Sequence, residues 1–260
     1  VNDLAMCGAT PKYLSLGFII EEGFTMDEFW KVLVSIKNAA DKAGVKIVTG
    51  DTKVVEKGKG DKIFINTSGI GTIHPKANIH HENIKEGDVV IVSGNIANHG
   101  IAIMSLRAGI EFETTIKSDT TNLNHTIIKL VEEFGTDIKF LRDPTRGGVA
   151  SVLNEIAELT NLSFYLNQHK IPLNESVEGA CEMLGLDPLY VANEGLFIAV
   201  VPPTIASDFL AKLKSDENGI NATIIGEVTN THPGKVIMKS KIGGKRVVNY
   251  LAGEQLPRIC

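Results

Sequence analysis

Residues 46–55 read KIVTGDTKVV, an apolar strand pattern that glycine, aspartate and lysine interrupt in succession. The segment before it starts with a capping box, Thr25 to Glu28, continues with apolar residues at helical spacing and ends at a glycine. Runs at 13–20 and 61–73 also have strand patterns. This order predicts a β-α-β-β unit, which is small for a domain. We therefore expect it to lack its beginning or to pair with another copy.

The rest of the chain alternates strand and helix patterns, which predicts an α+β fold of the layered α/β kind. Predicted strands lie at 89–92, 138–141, 195–201 and 222–228, and a hairpin with a glycine turn joins 235–241 to 245–251. Predicted helices lie at 4–9, 101–108, 119–134, 147–159, 176–184 and 204–213.

Composition narrows the classes of function. The 26 Lys and Arg residues against 31 Asp and Glu residues give a net charge of −5, so we expect neither nucleic-acid nor membrane binding. No apolar run approaches the ~20 residues of a membrane helix, and three scattered cysteines favour the cytosol. Because the chain opens at Val1 without an initiator Met or a signal peptide, we expect it to be a fragment of a longer protein.

The last side chain is a thiol, Cys260. Chain termini are ordered only where contacts hold them, so residues 254–260 read as a mobile arm that carries a nucleophile. Exposed free thiols are usually avoided, which favours a function, but an incidental cysteine is an equally good interpretation of that position alone. The other two thiols, Cys7 and Cys181, have small or apolar neighbours and are predicted to lie in the core.

Four polar groups of residues interrupt the apolar pattern. They lie at Asn2–Asp3, Thr49–Lys53, Asp143–Gly148 and Asn193–Gly195. Each alone is more simply a helix cap or a turn, but together they indicate a site. Divalent cations on nucleotide phosphates prefer carboxylates, and glycines at a helix start free N–H groups for anions. A P-loop and a GxGxxG motif are absent from the sequence, so a nucleotide site would need another architecture.

Five stretches together resemble the HypE family of hydrogenase maturation factors, which belongs with the ATP-using aminoimidazole ribonucleotide synthetases and selenophosphate synthetases. They are residues 1–9, 50–55, 64–67, 143–148 and 257–260.

The resemblance implies a PurM-like, two-domain architecture and a homodimer. Residues 1–78 would be a truncated, β-rich domain for ATP binding and dimerisation, residues 79–252 an α/β domain, and residues 253–260 a mobile tail. Family members carry a further half-domain before the position of Val1, and without it both ATP binding and dimerisation would be impaired.

The activity that the resemblance implies is ATP-dependent dehydration of an S-carboxamide on Cys260. The product is a thiocyanate, which supplies the cyanide ligand of the iron in [NiFe]-hydrogenase. The partners implied are the carbamoyltransferase HypF, which loads Cys260, and the iron-carrying HypC–HypD scaffold complex. The cofactors implied are ATP and Mg²⁺.

Roles for individual residues follow from their positions in the matching motifs. Asp3, Asp51 and Asp143 would hold Mg²⁺ on the ATP phosphates, and Thr52 would line the same site. Phosphate would be contacted by Arg146, Gly147 and Gly148, and Lys53 would lie near the reacting group. The candidate general base is Glu194. The substrate would be carried on Cys260, and Arg258 would steer the tail.

Two other hypotheses stay open at the level of sequence. In the first, a related synthetase phosphorylates a free small molecule and Cys260 is incidental. In the second, a non-catalytic carrier binds nucleotide and presents its terminal thiol to partners. His99, in a predicted turn, could contact the tail or a phosphate, although a histidine in a turn is more often structural.

Overall fold

The computed structural model describes residues 1–109 and 116–251. Its first part is a three-stranded sheet with one long helix beside it. Helix α1 (Asn2–Met6) leads into strand β1 (Ala9–Glu21), which is followed by helix α2 (Met26–Ala43), strand β2 (Lys46–Val55) and strand β3 (Ile63–Ile73). Strand β1 is central; it pairs parallel with β2 and antiparallel with β3. The predicted β-α-β-β order is confirmed.

The ends of α2 match the sequence signals. The Thr25 side chain accepts a hydrogen bond from the backbone N–H of Glu28, and the Glu28 side chain accepts from the backbone N–H of Thr25. At the other end, Gly44 adopts a φ of 72°, in the left-handed region that stops a helix. A glycine there avoids the strain that a Cβ would add.

The second part is a seven-stranded sheet, in the order β10-β9-β6-β8-β4-β7-β5. Its strands are β4 (Val89–Val92), β5 (Phe140–Arg142), β6 (Ser163–Asn167), β7 (Ile198–Val201), β8 (Thr223–Thr229), β9 (Val236–Lys239) and β10 (Lys245–Val248). Its helices are α3 (Asn98–Ala108), α4 (Asn124–Phe134), α5 (Gly148–Thr160), α6 (Glu175–Leu184) and α7 (Ala206–Lys214). All pairs are antiparallel except β6 with β9.

Helices cover both faces of this sheet. Val90 and Val92 of β4 face a core built with α3, α5 and α6, whereas Ile91 between them faces a second core built with α1, α4 and α7. Alternate side chains of a strand point to opposite faces, so the continuous apolar runs of β4 and β7 are the pattern of strands buried on both sides. The layered α+β prediction is confirmed.

Polar side chains from one short segment join the two parts. Asn122 and Asn124 donate from Nδ2 to the carbonyls of Ala39 and Ala43 at 3.3 and 3.0 Å, and His125 Nε2 lies 3.0 Å from the Lys42 carbonyl. The last carbonyls of a helix have no partner within it, so these contacts satisfy the end of α2 and fix it against α4.

The structure corrects some of the local predictions. Strand β6 was not predicted at all, and the helix predicted at 119–134 begins only at Asn124. Helix α1 ends at Met6, and Cys7 is exposed rather than in the core, whereas Cys181 is buried as expected. Burial raises the pKa of the Cys181 thiol to about 11.

Both faces of the three-stranded sheet leave large apolar side chains in solvent. Val48, Val54 and Ile70 are 59%, 61% and 65% exposed. No helix in the described residues is long and apolar enough to cross a membrane.

Candidate functional site

Asn193 is the polar centre of the site. Its side chain is completely buried. Its Oδ1 accepts a hydrogen bond from the backbone N–H of Ala97 at 2.7 Å, and its Nδ2 donates to the carbonyls of Pro144 and Val191 at 2.9 and 3.0 Å. One amide therefore ties together the start of α3, the segment after β5 and the segment before β7.

Ala97 is held in a strained conformation at this point. Its φ is 71°, in the left-handed region, which costs a residue with a Cβ roughly 1–2 kcal/mol. Such strain persists where neighbouring contacts impose it, and it is common at functional sites. The backbone N–H of Ala97 donates to Asn193 in this conformation, directly before α3 begins at Asn98.

Glu194 is half-buried, and side chains from other segments bind both of its backbone polar groups. Its N–H donates to Asp119 Oδ1 at 3.1 Å, and its carbonyl accepts from Asn2 Nδ2 at 3.2 Å. Asn2 also donates to the Thr121 carbonyl at 3.0 Å and accepts from the backbone N–H of Leu123 at 3.0 Å. The predicted groups at Asn2–Asp3 and Asn193–Gly195 therefore meet.

The predicted group at Asp143–Gly148 reaches the same place through Pro144, and its carboxylate lies near that of Asp3. Burial raises the pKa of Asp143, and the negative charge of Asp3 raises it further. Asp143 is half-buried and Asp3 is exposed. Two carboxylates that repel each other in a partly dry site gain most from a cation between them.

These carboxylates fit Mg²⁺, which prefers carboxylate oxygens and commonly shares its coordination with phosphates. In the described residues, Asp3, Asp51 and Asp143 do not form a compact set of ligands. The group whose ligand atoms lie within 4.8 Å of one another is His80, His81 and Glu82, on the surface. Ligands that share an ion with a nucleotide need no direct contact with one another, so the assignment of these aspartates stays a prediction.

The start of α5 is suited to an anion. Gly147 and Gly148 have φ values of 75° and 60°, and no side chain caps the first turn of the helix. Uncapped N–H groups at a helix start attract phosphate. A Cβ on Gly148 would lie 2.5 Å from the Leu189 carbonyl oxygen and 2.6 Å from that of Val191, so only glycine fits there. Arg146, next to them, is exposed.

We expect Gly148→Ala to weaken nucleotide binding at least tenfold, because the clash with two backbone carbonyls must displace the start of α5. The matched control is Gly185→Ala, whose φ is 68° but whose Cβ would meet nothing within 4 Å. Both variants place an alanine in the left-handed region, which costs about 1 kcal/mol of stability. Only Gly148→Ala also displaces the start of a helix. Calorimetric titration with Mg-ATP checks this, and equal affinities of the two variants would contradict it.

The predicted group at Thr49–Lys53 lies on the edge strand β2. Asp51, Thr52 and Lys53 are exposed and pair with Gly17, Phe18 and Ile19 of β1. Asp51 Oδ1 accepts a hydrogen bond from the backbone N–H of Thr52 at 2.8 Å. The roles predicted for these three residues stay predictions. Cys260 and Arg258 lie outside the described residues.

Two residues of the site were missed by the sequence analysis. The sequence indicates Glu194 rather than Asn193 as the functional residue, and its spacing predicts a helix at Asp119. The run Ser118 to Asn122 contains five consecutive polar residues that favour turns, which was a usable signal against a helix. His99 lies in the first turn of α3, is 9% exposed, and its Nδ1 is 2.8 Å from Ser118 Oγ.

Comparisons with known proteins agree with this architecture. Residues 1–73 match the family model described as the AIR synthase related protein N-terminal domain, and residues 85–239 match the corresponding C-terminal domain. The carbamoyl dehydratase HypE of Bradyrhizobium diazoefficiens is 47% identical over 260 residues, which are 100% of this chain and 75% of that protein.

Solved structures are similarly close. A hydrogenase maturation protein HypE in complex with ATP is 45% identical with a TM-score of 0.95, over 100% of this chain and 78% of that one. A HypE chain in a HypE–HypF complex is 48% identical with a TM-score of 0.93, over 96% of this chain and 81% of that one. The fold is therefore PurM-like, and the chain belongs to the HypE family of carbamoyl dehydratases.

Proposed function

We propose that this protein uses ATP to dehydrate an S-carboxamide carried on Cys260, and that the thiocyanate formed supplies the cyanide ligand of a [NiFe]-hydrogenase iron. The carboxamide oxygen attacks the γ-phosphorus of ATP, and ADP leaves. The C–O bond then breaks as phosphate departs, and loss of both N–H protons completes the C≡N bond. Overall, one carboxamide and one ATP are converted into one thiocyanate, one ADP, one phosphate and one proton.

The observation that carries the proposal is the convergence of three separate polar segments around Glu194. Asn2–Asp3, Asp143–Pro144 and Asn193–Gly195 come from distant parts of the chain, and Asn2 and Asn193 hydrogen-bond them into one site. A carboxylate beside such a site is suited to accept the carboxamide protons, and we assign that role of general base to Glu194.

The remaining roles follow the chemistry of each group. Asp3, Asp51 and Asp143 would hold Mg²⁺, which neutralises charge on the phosphates when bound. The start of α5, at Gly147–Gly148, would orient the phosphates with Arg146 and Thr52. Lys53 would offset the negative charge that develops on the reacting group.

We further propose the partners that this chemistry needs. A carbamoyltransferase must load Cys260, and the HypE–HypF complex among the solved relatives supports HypF in that role. An iron-carrying HypC–HypD complex would accept the cyanide. The exposed apolar faces of the three-stranded sheet support a homodimer formed through residues 1–78.

Intact-mass spectrometry tests the activity. After incubation with a carbamoyl donor and HypF, we expect the C-terminal peptide to gain a carboxamide and then, only with ATP, to lose one water. Cys260→Ala should abolish both changes. Cys7→Ala is the matched control, since Cys7 is the exposed thiol in the described residues, and it should change neither. Turnover of a free small substrate by Cys260→Ala would instead identify a small-molecule synthetase.

A further inference from the structure

The segment 116–121 packs directly on the turn that carries Glu194. A Cβ on Gly195 would lie only 1.7 Å from the backbone carbonyl oxygen of Asp119, so the two backbones touch and only glycine is possible there. This contact places the Asp119 side chain beside the peptide groups of the turn. It also explains why the segment is not the helix that its sequence spacing predicts.

The Asp119 carboxylate binds the backbone of that turn, where its Oδ1 accepts a hydrogen bond from the N–H of Glu194 at 3.1 Å. Burial raises the pKa of Asp119, and the nearby backbone N–H groups of Glu194 and Gly195 oppose that shift. Oδ2 is buried and has no hydrogen-bond partner in the described residues, and the same holds for Nε2 of nearby His99.

Burying a carboxylate with one oxygen unsatisfied costs stability, so stability alone does not explain this contact. What the aspartate provides is a short, stiff side chain whose charge strengthens bonds to backbone N–H groups. Asn2 binds the carbonyl on the other side of Glu194. The two peptide groups that flank Glu194 are therefore fixed, and with them the direction of its Cα–Cβ bond, from which the side chain starts.

We propose that Asp119 is a positioning residue for Glu194, which it holds by its backbone opposite Asn2. This rests on the proposed function, in which Glu194 accepts the carboxamide protons. A proton acceptor works only within hydrogen-bond reach of its proton, and a misplacement of about 1 Å can cost a hundredfold in rate. Asp119 itself touches no reacting atom in this assignment.

The test compares Asp119→Ala, Asp119→Asn and a matched control, Asp88→Ala. Asp88 is also buried, at 4% exposure, its pKa is likewise raised by burial, and its Oδ2 accepts the backbone N–H of Lys85 at 2.7 Å. The readout is the first-order rate constant for loss of water from protein loaded with a carboxamide on Cys260. Here kcat is its value at saturating ATP, and KM is the ATP concentration that gives half of that value.

Asp119→Ala should lower kcat about 10- to 100-fold, with the KM for ATP unchanged within about twofold. Asp119→Asn should recover kcat to within about threefold of wild type, because its amide oxygen accepts the same hydrogen bond. Asp88→Ala should lose a similar stability and keep its kcat. The proposal is overturned if Asp119→Ala keeps the kcat of Asp88→Ala, or if asparagine rescues nothing.

A double-mutant cycle separates this inference from the proposed function. If Asp119 acts through Glu194, adding Asp119→Ala to Glu194→Gln should cost less than twofold, whereas independent effects would multiply. A full multiplied loss overturns the positioning role while the base stands. A Glu194→Gln variant with wild-type kcat overturns the assigned base, and the positioning role with it.

Discussion

Glu194→Gln is expected to lower the rate of ATP-dependent water loss about 10²- to 10⁴-fold, the usual contribution of a positioned general base. Glutamine has almost the same size as glutamate and keeps the backbone N–H and carbonyl that Asp119 and Asn2 bind. What it lacks is a group that can accept a proton from the carboxamide. The measurement is the fraction of Cys260 peptide that has lost water, followed over time by mass spectrometry.

Loading of Cys260 and binding of Mg-ATP should be normal in this variant, because neither requires proton removal by Glu194. The control is Glu227→Gln on strand β8, an exposed glutamate outside the site, which should retain the wild-type rate. Dehydration by Glu194→Gln at the wild-type rate would eliminate Glu194 as the base. If the loaded Glu194→Gln protein releases product only when a partner protein is added, the chain is a carrier.

Sequence reasoning worked where local chemistry decides local structure. The capping box at Thr25, the stop at Gly44 and the buried run of β4 each specify their element within a few residues, and each is observed. The resemblance of the five stretches then supplied the family. The caps and the apolar run are local signals, and the family comes from the identity of the motifs. Neither kind of signal requires knowledge of the tertiary contacts.

The parts that failed are those that tertiary contacts decide. Asp119 has helical neighbours in sequence, but the contact of its backbone with Gly195 keeps residues 116–121 out of helix α4. Strand β6 is short and forms because β8 and β9 lie on either side of it. Cys7 has small neighbours but lies after the end of α1, exposed. The role predicted for Asp51 on β2 stays a prediction, because it depends on contacts with bound nucleotide rather than on local sequence.

Asn193→Ala is expected to have the largest effect on stability. It removes an amide that is completely buried and leaves the N–H of Ala97 and the carbonyl of Val191 without that partner, while the carbonyl of Pro144 keeps the backbone N–H of residue 193 at 3.2 Å. Each buried polar group left unsatisfied costs about 1–3 kcal/mol, so we expect a loss of about 3–5 kcal/mol. At about 2–4 °C per kcal/mol for a chain of this size, the Tm should fall by roughly 10 °C.

Ala97 has a left-handed backbone next to this hydrogen bond, and release of its strain in the variant would offset part of the loss in stability. Relaxation there would turn the start of α3 away from the site, so water loss should fall together with Tm. The control is Asn230→Ala, which removes one exposed hydrogen bond, from Asn230 Nδ2 to Glu86 Oε2 at 2.7 Å. It should change the free energy of unfolding by less than about 0.5 kcal/mol. Calorimetric melting of both variants decides the question, and a Tm of Asn193→Ala equal to that of Asn230→Ala would show that the amide does not hold the three segments together.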